Sequence, residues 1–291
     1  MIGSRQAGLG EAAEPSDERK PGGPMAELLK ANLLAHFAYY RRSRLLLAFL
    51  LVLLLLTGLS SLPALFAHSG VQSFYSLREI FSDLNGLLLF LAGGLGLFII
   101  SSHLRSRSLK MVFTKPCSPA LWLVSAFMAA VAVSLLLNGI VLASAVGLSL
   151  GWHLPVRAGL VFVSANTFIA SVGIIAYLML LTMLVHPAIA VTLALIFSAD
   201  LFYEACLWAQ ATIRSGSSNW ALRVLERLFH YLYLFLPMVH PFGKKTENIY
   251  SSLRVLHGEW KYLLYSFGYA LALSAFCYFL ALFALQRKRH I

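Results

Sequence analysis

The sequence predicts an all-α membrane protein that crosses the bilayer six times, with an interfacial helix before the first span. An outer amphipathic, re-entrant region is expected between spans five and six. Three observations predict this fold. Of the 291 residues, 59% are hydrophobic and only 12% are charged, with a mean hydropathy of +0.76; a soluble domain is nearer half apolar and a quarter charged. Several uncharged runs reach the roughly 20 residues that a helix needs to cross the hydrocarbon. The basic residues behind the net charge of +11 cluster beside those runs, where anionic headgroups and the positive-inside bias account for them. No aromatic-and-basic platform is visible, so nucleic acid is not an expected partner and the lipid bilayer is.

Residues 1–24 are polar, rich in Gly and Pro and without periodicity, which predicts a disordered tail ahead of a membrane domain over 25–291. The tail lacks the apolar core of a signal peptide, and Met25 reads as the more natural start. Leu29, Leu33, Phe37 and Tyr40 then recur at helical spacing with Glu27, Lys30 and Arg41 off that face, predicting an amphipathic helix on the membrane surface. The first span is predicted over 45–66, behind Arg41, Arg42 and Arg44. A loop carrying Arg78, Glu79 and Asp83 leads to the second span, 86–102, in which Gly93, Gly94 and Gly96 offer a thin face for close helix packing.

The third span is read over 120–150 and the fourth over 158–185, with "GWHLPVR" as the break between them. His186-Pro187 marks a tight turn, because proline ends a helix and disfavours the helical conformation just before it. The fifth span, 188–211, carries Asp200 and Glu204 at i and i+4, either a cation or substrate site inside the membrane or an interfacial pair bonded to a nearby Arg or Tyr. In "NWALRVLERLFHYL" Arg223, Glu226, Arg227 and His230 share one helical face, and Trp220, Val224, Leu228 and Tyr231 another. The apolar stretch after it is short and broken by Pro237 and Pro241, ahead of Phe242, which predicts a re-entrant or interfacial element and not a seventh span. The sixth span, 262–286, closes in a basic tail.

Six spans put both ends on one side. Arg41, Arg42, Arg44, Arg105, Arg107, Lys110, Lys115, Arg287, Lys288 and Arg289 then fall on the inner side, with only Arg78 and Arg157 in the short outer loops. The last outer loop is also basic, but long loops weigh less in the rule. Both termini are therefore expected in the cytoplasm. The chain has no phosphate-loop motif, since "PFGKKT" lacks the glycine spacing, and no H-E-x-x-H or C-x-x-C. Cys117, Cys206 and Cys277 share no close spacing, so they read as small buried hydrophobes. Asn138 and Asn166 read as interhelical hydrogen-bonders. No catalytic, metal or cofactor-binding residue is expected in this chain.

Three stretches carry a family resemblance: "SDLNGLLLFLAGGLGLFIISSHLRSRSLKMVFTKPCSP" from Ser82 to Pro119, "LYLFLPMVHPF" after the fifth span, and "YSFGYALALSAFCYFLALFALQRKRHI" at the end. In order and spacing they resemble the permease subunits of ABC-2 type transporters over roughly residues 26–291. His103, Pro119 and Met238-Val239 depart from the pattern. The resemblance implies a six-helix transmembrane half, one of two permease copies, identical or different, coupled to a separate ATP-binding subunit that holds ATP and magnesium. It implies an exporter of the cell (inner) membrane. The coupling segment would then be the basic stretch with Arg105, Arg107, Lys110, Lys115 and Pro116, and Pro237, Pro241 and Phe242 would form the outer re-entrant element. An integral assembly or anchor protein of the same fold is the alternative. A reporter active only in the cytoplasm, fused at residue 110, is expected to be active; activity from an exported reporter at that site would reverse the orientation.

Overall fold

A computed structural model describes residues 24–42, 70–105, 118–196, 199–215, 220–235 and 251–288, with 249 and scattered positions between 44 and 59. Among these residues the regular structure is helical throughout, with no strand. The helices are α1 (Pro24–Arg42), α2 (Gly70–Arg105), α3 (Pro119–Gly151), α4 (Ala158–Leu184), α5 (Pro187–Ile196), α6 (Ala199–Arg214), α7 (Trp220–Phe235) and α8 (Trp260–Lys288). Four stretches are long and apolar enough to cross a membrane: Ser73–Phe98, Pro119–Gly151, Ala158–Leu184 and Trp260–Arg287. The protein is thus helical and multi-pass. The predicted tail up to residue 23, most of the first predicted span, the basic stretch 106–117, the re-entrant stretch 236–248 and the last residues of the tail lie outside the described residues.

Local chemistry sets the helix ends. Ser118 caps α3: its Oγ accepts from the Leu121 N–H at 3.2 Å, and Pro119 takes the first helical position, where the missing N–H costs nothing. At the other end of α3, His153 adopts a left-handed φ of 54°. The Leu154 N–H donates to the Ser149 carbonyl at 2.8 Å and the His153 N–H to the Leu150 carbonyl at 3.1 Å, the paired bonds of a Schellman stop with His where Gly is usual. At His186-Pro187 the His186 Nδ1 accepts from the Ala188 N–H at 3.3 Å and caps α5, with Pro187 again in the first position.

The centre of the bundle is α4. Each of α2, α3 and α8 packs on it. Two thirds of its most apolar window (67%) is buried inside the protein, against 28% for α8, whose Phe267, Phe276, Phe279 and Phe283 face outward. The glycine face predicted on the second span is the contact surface. A Cβ on Gly96 would come 3.0 Å from the Ile175 carbonyl oxygen, and one on Gly93 would come 3.1 Å from Leu178 Cδ1.

Four readings are corrected or refined. Arg78, Glu79 and Asp83 are not in a loop: α2 runs from Gly70 through all three. Leu77, Ile80, Phe81 and Leu84 form a buried stripe at helical spacing, and the charges fall beside it. The amphipathic α1 packs its predicted apolar side on protein. Tyr40 is buried, and shortly after α1 Arg44 is left-handed (φ 55°). The predicted fifth span is helical wherever it is described and runs on to Arg214: α5 covers Pro187–Ile196 and α6 Ala199–Arg214, with 197 and 198 outside the described residues. In α7 the side packed on α6 takes Glu226 alone from the predicted charged face and nothing from the predicted apolar one. Phe229 meets Phe202 there at 5.9 Å and Glu226 accepts from Gln210 at 3.0 Å, while Arg223, Arg227 and His230 are exposed, as are Trp220, Val224, Leu228 and Tyr231.

At the start of α4, the Gly159 N–H donates to the Leu253 carbonyl at 3.0 Å, and a Cβ on Gly159 would collide with the Leu253 backbone. Gly147, on α3, faces open space. Gly159→Ala is therefore expected to cost about 1–3 kcal/mol or more through overpacking. Gly147→Ala is expected to stabilise by about 0.5–1 kcal/mol through helix propensity. Thermal unfolding of the two variants in detergent checks the opposite signs.

Candidate functional site

One end of the bundle gathers the elements that flank the predicted coupling segment. Here α2 is described to Arg105 and α3 starts at Pro119, so the helices that bound the basic stretch meet it at one end of the bundle. The backbone of Arg105 is helical; Arg107, Lys110, Lys115 and Pro116 lie outside the described residues. Helix α1 lies across both flanks. Its Tyr39 and Tyr40 rings sit 5.6 and 6.2 Å from Phe98 of α2, and its His36 ring sits 5.9 Å from Trp122 of α3. The Tyr278 hydroxyl of α8 donates to the Ala120 carbonyl at 3.2 Å, tying the last helix to the same end. Arg41 and Arg42 end α1, and Arg287 lies exposed in the last turn of α8 with its guanidinium 5.9 Å from the Phe283 ring centre. The result is a basic end built from the C-termini of three helices, where cations also complement the helix dipoles.

The opposite end is an arginine joint that spacing in the sequence does not reveal. Arg157, just before α4, stacks over Phe74 of α2 at 4.1 Å and donates through its guanidinium to the Ser252 carbonyl. Arg78 of α2 donates to the Ser251 carbonyl at 3.4 Å and lies over Tyr75 at 5.3 Å. Leu253, buried and left-handed at φ 51°, is pinned by the Gly159 N–H. The chain entering α8 is thus strapped across the starts of α2 and α4. The residues that meet are far apart in sequence, and each arginine alone looks like an ordinary loop cation.

Between the ends lies a buried polar layer. Gly96 beside Ile175 and Phe74 beside Arg157 fix the register of α2 on α4, which brings Asn85 level with Thr167. A small cleft lined by Gly96, Ala126, Ala130, Ile175 and Met179 fixes the level of α3, which puts Asn138 at a similar depth. Asn138 does not bond across helices through its amide nitrogen, as the sequence suggests: Nδ2 donates to Ser134 of its own helix at 2.9 Å. Asn85 likewise donates to Phe81 at 2.6 Å. Asn85 Oδ1, Asn138 Oδ1 and Thr167 Oγ1 are buried and accept no hydrogen bond among the described residues.

Of the predicted polar pair, Asp200 and Glu204 stand one turn apart on α6. Glu204 is exposed and has no hydrogen-bond partner among the described residues, and the side chain of Asp200 lies outside the description. Pro237, Pro241 and Phe242 also lie outside it. Cys206 and Cys277 are buried thiols. Comparison with protein families, with curated proteins and with solved structures finds no match to this chain.

A buried acceptor without a donor costs about 1–3 kcal/mol. Asn138→Leu, which removes the orphaned oxygen and keeps the volume, is expected to leave the melting temperature unchanged or raise it. Asn138→Asp, which buries a charge in its place, is expected to lower it by several degrees. Thermal unfolding in detergent separates the two.

Proposed function

We propose that the chain is the permease subunit of an ABC-2 type transporter, working as an exporter in the cell (inner) membrane with both termini in the cytoplasm. In this reading six helices cross the bilayer: α2, α3, α4 and α8, with 45–66 as the first span and the region of α5 and α6 as the fifth. The chain hydrolyses nothing itself. A separate ATP-binding subunit holds ATP and magnesium, and a second permease copy, identical or different, completes the path. The motif order from Ser82 to the C-terminus supports the reading.

The observation that carries it is the construction of the basic end. A lever needs a stiff mount on each side of the point where force enters. Here α2 and α3 flank the basic stretch, α1 braces both through Phe98 and Trp122, and Tyr278 ties in α8. A push on the stretch from a soluble partner would therefore reach the central helix α4 through its contacts with α2 and α3. Arg105, Arg107 and Lys110 would meet that partner, and Lys115-Pro116 would set the angle of return into the membrane. The basic charges also set topology, and the test separates that role from coupling.

In the complex purified with its ATP-binding subunit, Arg105→Glu, Arg107→Glu and Lys110→Glu together are expected to drop substrate-stimulated ATP hydrolysis to the unstimulated level. Size-exclusion chromatography checks that the complex stays assembled. Unchanged stimulation in the intact complex would sink the coupling role, and a complex that shows no stimulation even before mutation favours the anchor reading.

A further inference from the structure

The arginine joint has more positive charge than its own contacts use. Arg78 and Arg157 converge on one segment, donating to the neighbouring carbonyls of Ser251 and Ser252, and Arg254 belongs to that same segment, exposed two residues on. Among the described residues no carboxylate lies in ion-pair contact with any of them. The acidic side chains on the same elements are placed otherwise. Glu259 accepts from the Leu256 N–H at 2.6 Å, and Glu79 and Asp83 are exposed on α2. Arg157 is held below its usual pKa, first by desolvation and then by the charge of Arg254 beside it. Each guanidinium offers five donors, and one protein carbonyl each for Arg78 and Arg157 leaves most of them open.

The helices add to the same sign. α4 and α8 begin at this end, at Ala158 and Trp260, and each N-terminus carries a partial positive charge. Exposed Tyr75, Trp260 and Tyr265 ring the end, in the manner of the aromatic belt found at headgroup depth. A cation over an aromatic face is stabilised but not neutralised. What remains is an anion with several acceptor oxygens, within reach of both lipid and water.

We propose that this end of the bundle binds a phosphate group, held by Arg78 of α2, Arg157 at the start of α4 and Arg254 in the segment that leads into α8. Guanidinium pairs match phosphate oxygens bidentately, which a lone ammonium cannot do. A phosphodiester of a membrane lipid and a soluble phosphate ester present the same oxygens to this site. The belt of exposed aromatics favours the lipid. The site stands whether or not the chain moves cargo, because it uses none of the residues of the basic end.

The test uses the full chain in a neutral detergent, with thermal unfolding read by tryptophan fluorescence. Phosphatidylglycerol and a diacylglycerol with the same acyl chains are titrated in one arm, and inorganic phosphate at constant ionic strength in the other. Phosphatidylglycerol is expected to raise the unfolding midpoint and diacylglycerol is not. Arg254→Gln removes a side chain that hydrogen-bonds nothing among the described residues, so it is expected to fold as before and to weaken the apparent affinity about tenfold. Arg287→Gln, at the opposite end, is expected to change nothing. A midpoint shift with inorganic phosphate as well supports the phosphate site and assigns it to soluble esters too; a shift with lipid alone assigns it to the headgroup. The proposal fails if neither phosphate source shifts the midpoint, if diacylglycerol matches phosphatidylglycerol, or if Arg254→Gln responds like the unmodified chain.

Discussion

The closeness with which α2 and α8 approach α4 is the constraint on which the rest of the structure depends. In lipid, two apolar helices gain nothing from hiding their surfaces from water, since the tails around them are equally apolar. Association must come from contact between surfaces that fit. Helix α4 supplies such surfaces on several sides: Ile175 and Leu178 receive Gly96 and Gly93 of α2, and Gly173 receives Leu273 of α8 at the distance of ordinary contact. At the tightest of these, Gly96 on the Ile175 carbonyl, a methyl group would fit only if the helices gave way by a few tenths of an ångström. A fit made by so few atoms also fixes the register, because sliding α2 by one turn would carry a leucine into the place of a glycine. Register then decides which polar side chains share a depth and which arginines meet at the ends.

The ends are both basic, but electrostatically they are not alike. Helices α2, α4 and α8 run in one direction and α3 in the other. At the end where α1, α2 and α8 finish, Arg41, Arg42, Arg105 and Arg287 stand at helix C-termini, and the partial negative charge there offsets them. At the opposite end Arg157 stands at the N-terminus of α4, and the dipole adds to its charge. Stacking on Phe74 and Tyr75 and bonding to two carbonyls holds Arg157 and Arg78 in place. None of those contacts carries a formal negative charge. The C-terminal dipoles ease the charge of the first end without cancelling it; at the second nothing of negative sign does so among the described residues.

How much of this the sequence discloses depends on the range of the interaction. The spans Pro119–Gly151, Ala158–Leu184 and Trp260–Arg287 are legible within a few residues, because each is a long uncharged run and two of the boundaries are written locally as Ser118-Pro119 and His186-Pro187. The start of α2 is not, because Arg78, Glu79 and Asp83 look like loop composition and the stripe of Leu77, Ile80, Phe81 and Leu84 between them is only one side of a helix. At the basic end the segment itself stands out by charge. The seat of α1 on Phe98 and Trp122 does not, since amphipathicity says that a face is apolar and not what covers it. Arg157 with Ser252 is a pairing 95 residues apart and Gly159 with Leu253 joins the same two segments, and no local pattern encodes them.

The hairpin of α6 and α7 shows the same difference between a face and its partner. A helix with one apolar and one basic side is expected to bury the first and expose the second. In α7 both are exposed, and the helix is held instead by an intermediate strip, with Phe229 on Phe202 and Glu226 on Gln210. Water would leave Trp220, Val224, Leu228 and Tyr231 exposed as an apolar patch, and hydrocarbon would strand Arg223 and Arg227. The boundary between the two suits both sides at once, with the rings toward the acyl chains and the arginines toward headgroups and water. That placement also accounts for the bond at the centre of the strip. With the arginines drawn to the polar side, the Glu226 carboxylate has an amide within reach and no cation, and the Gln210 Nε2 donor fills the place that an ion pair would otherwise take.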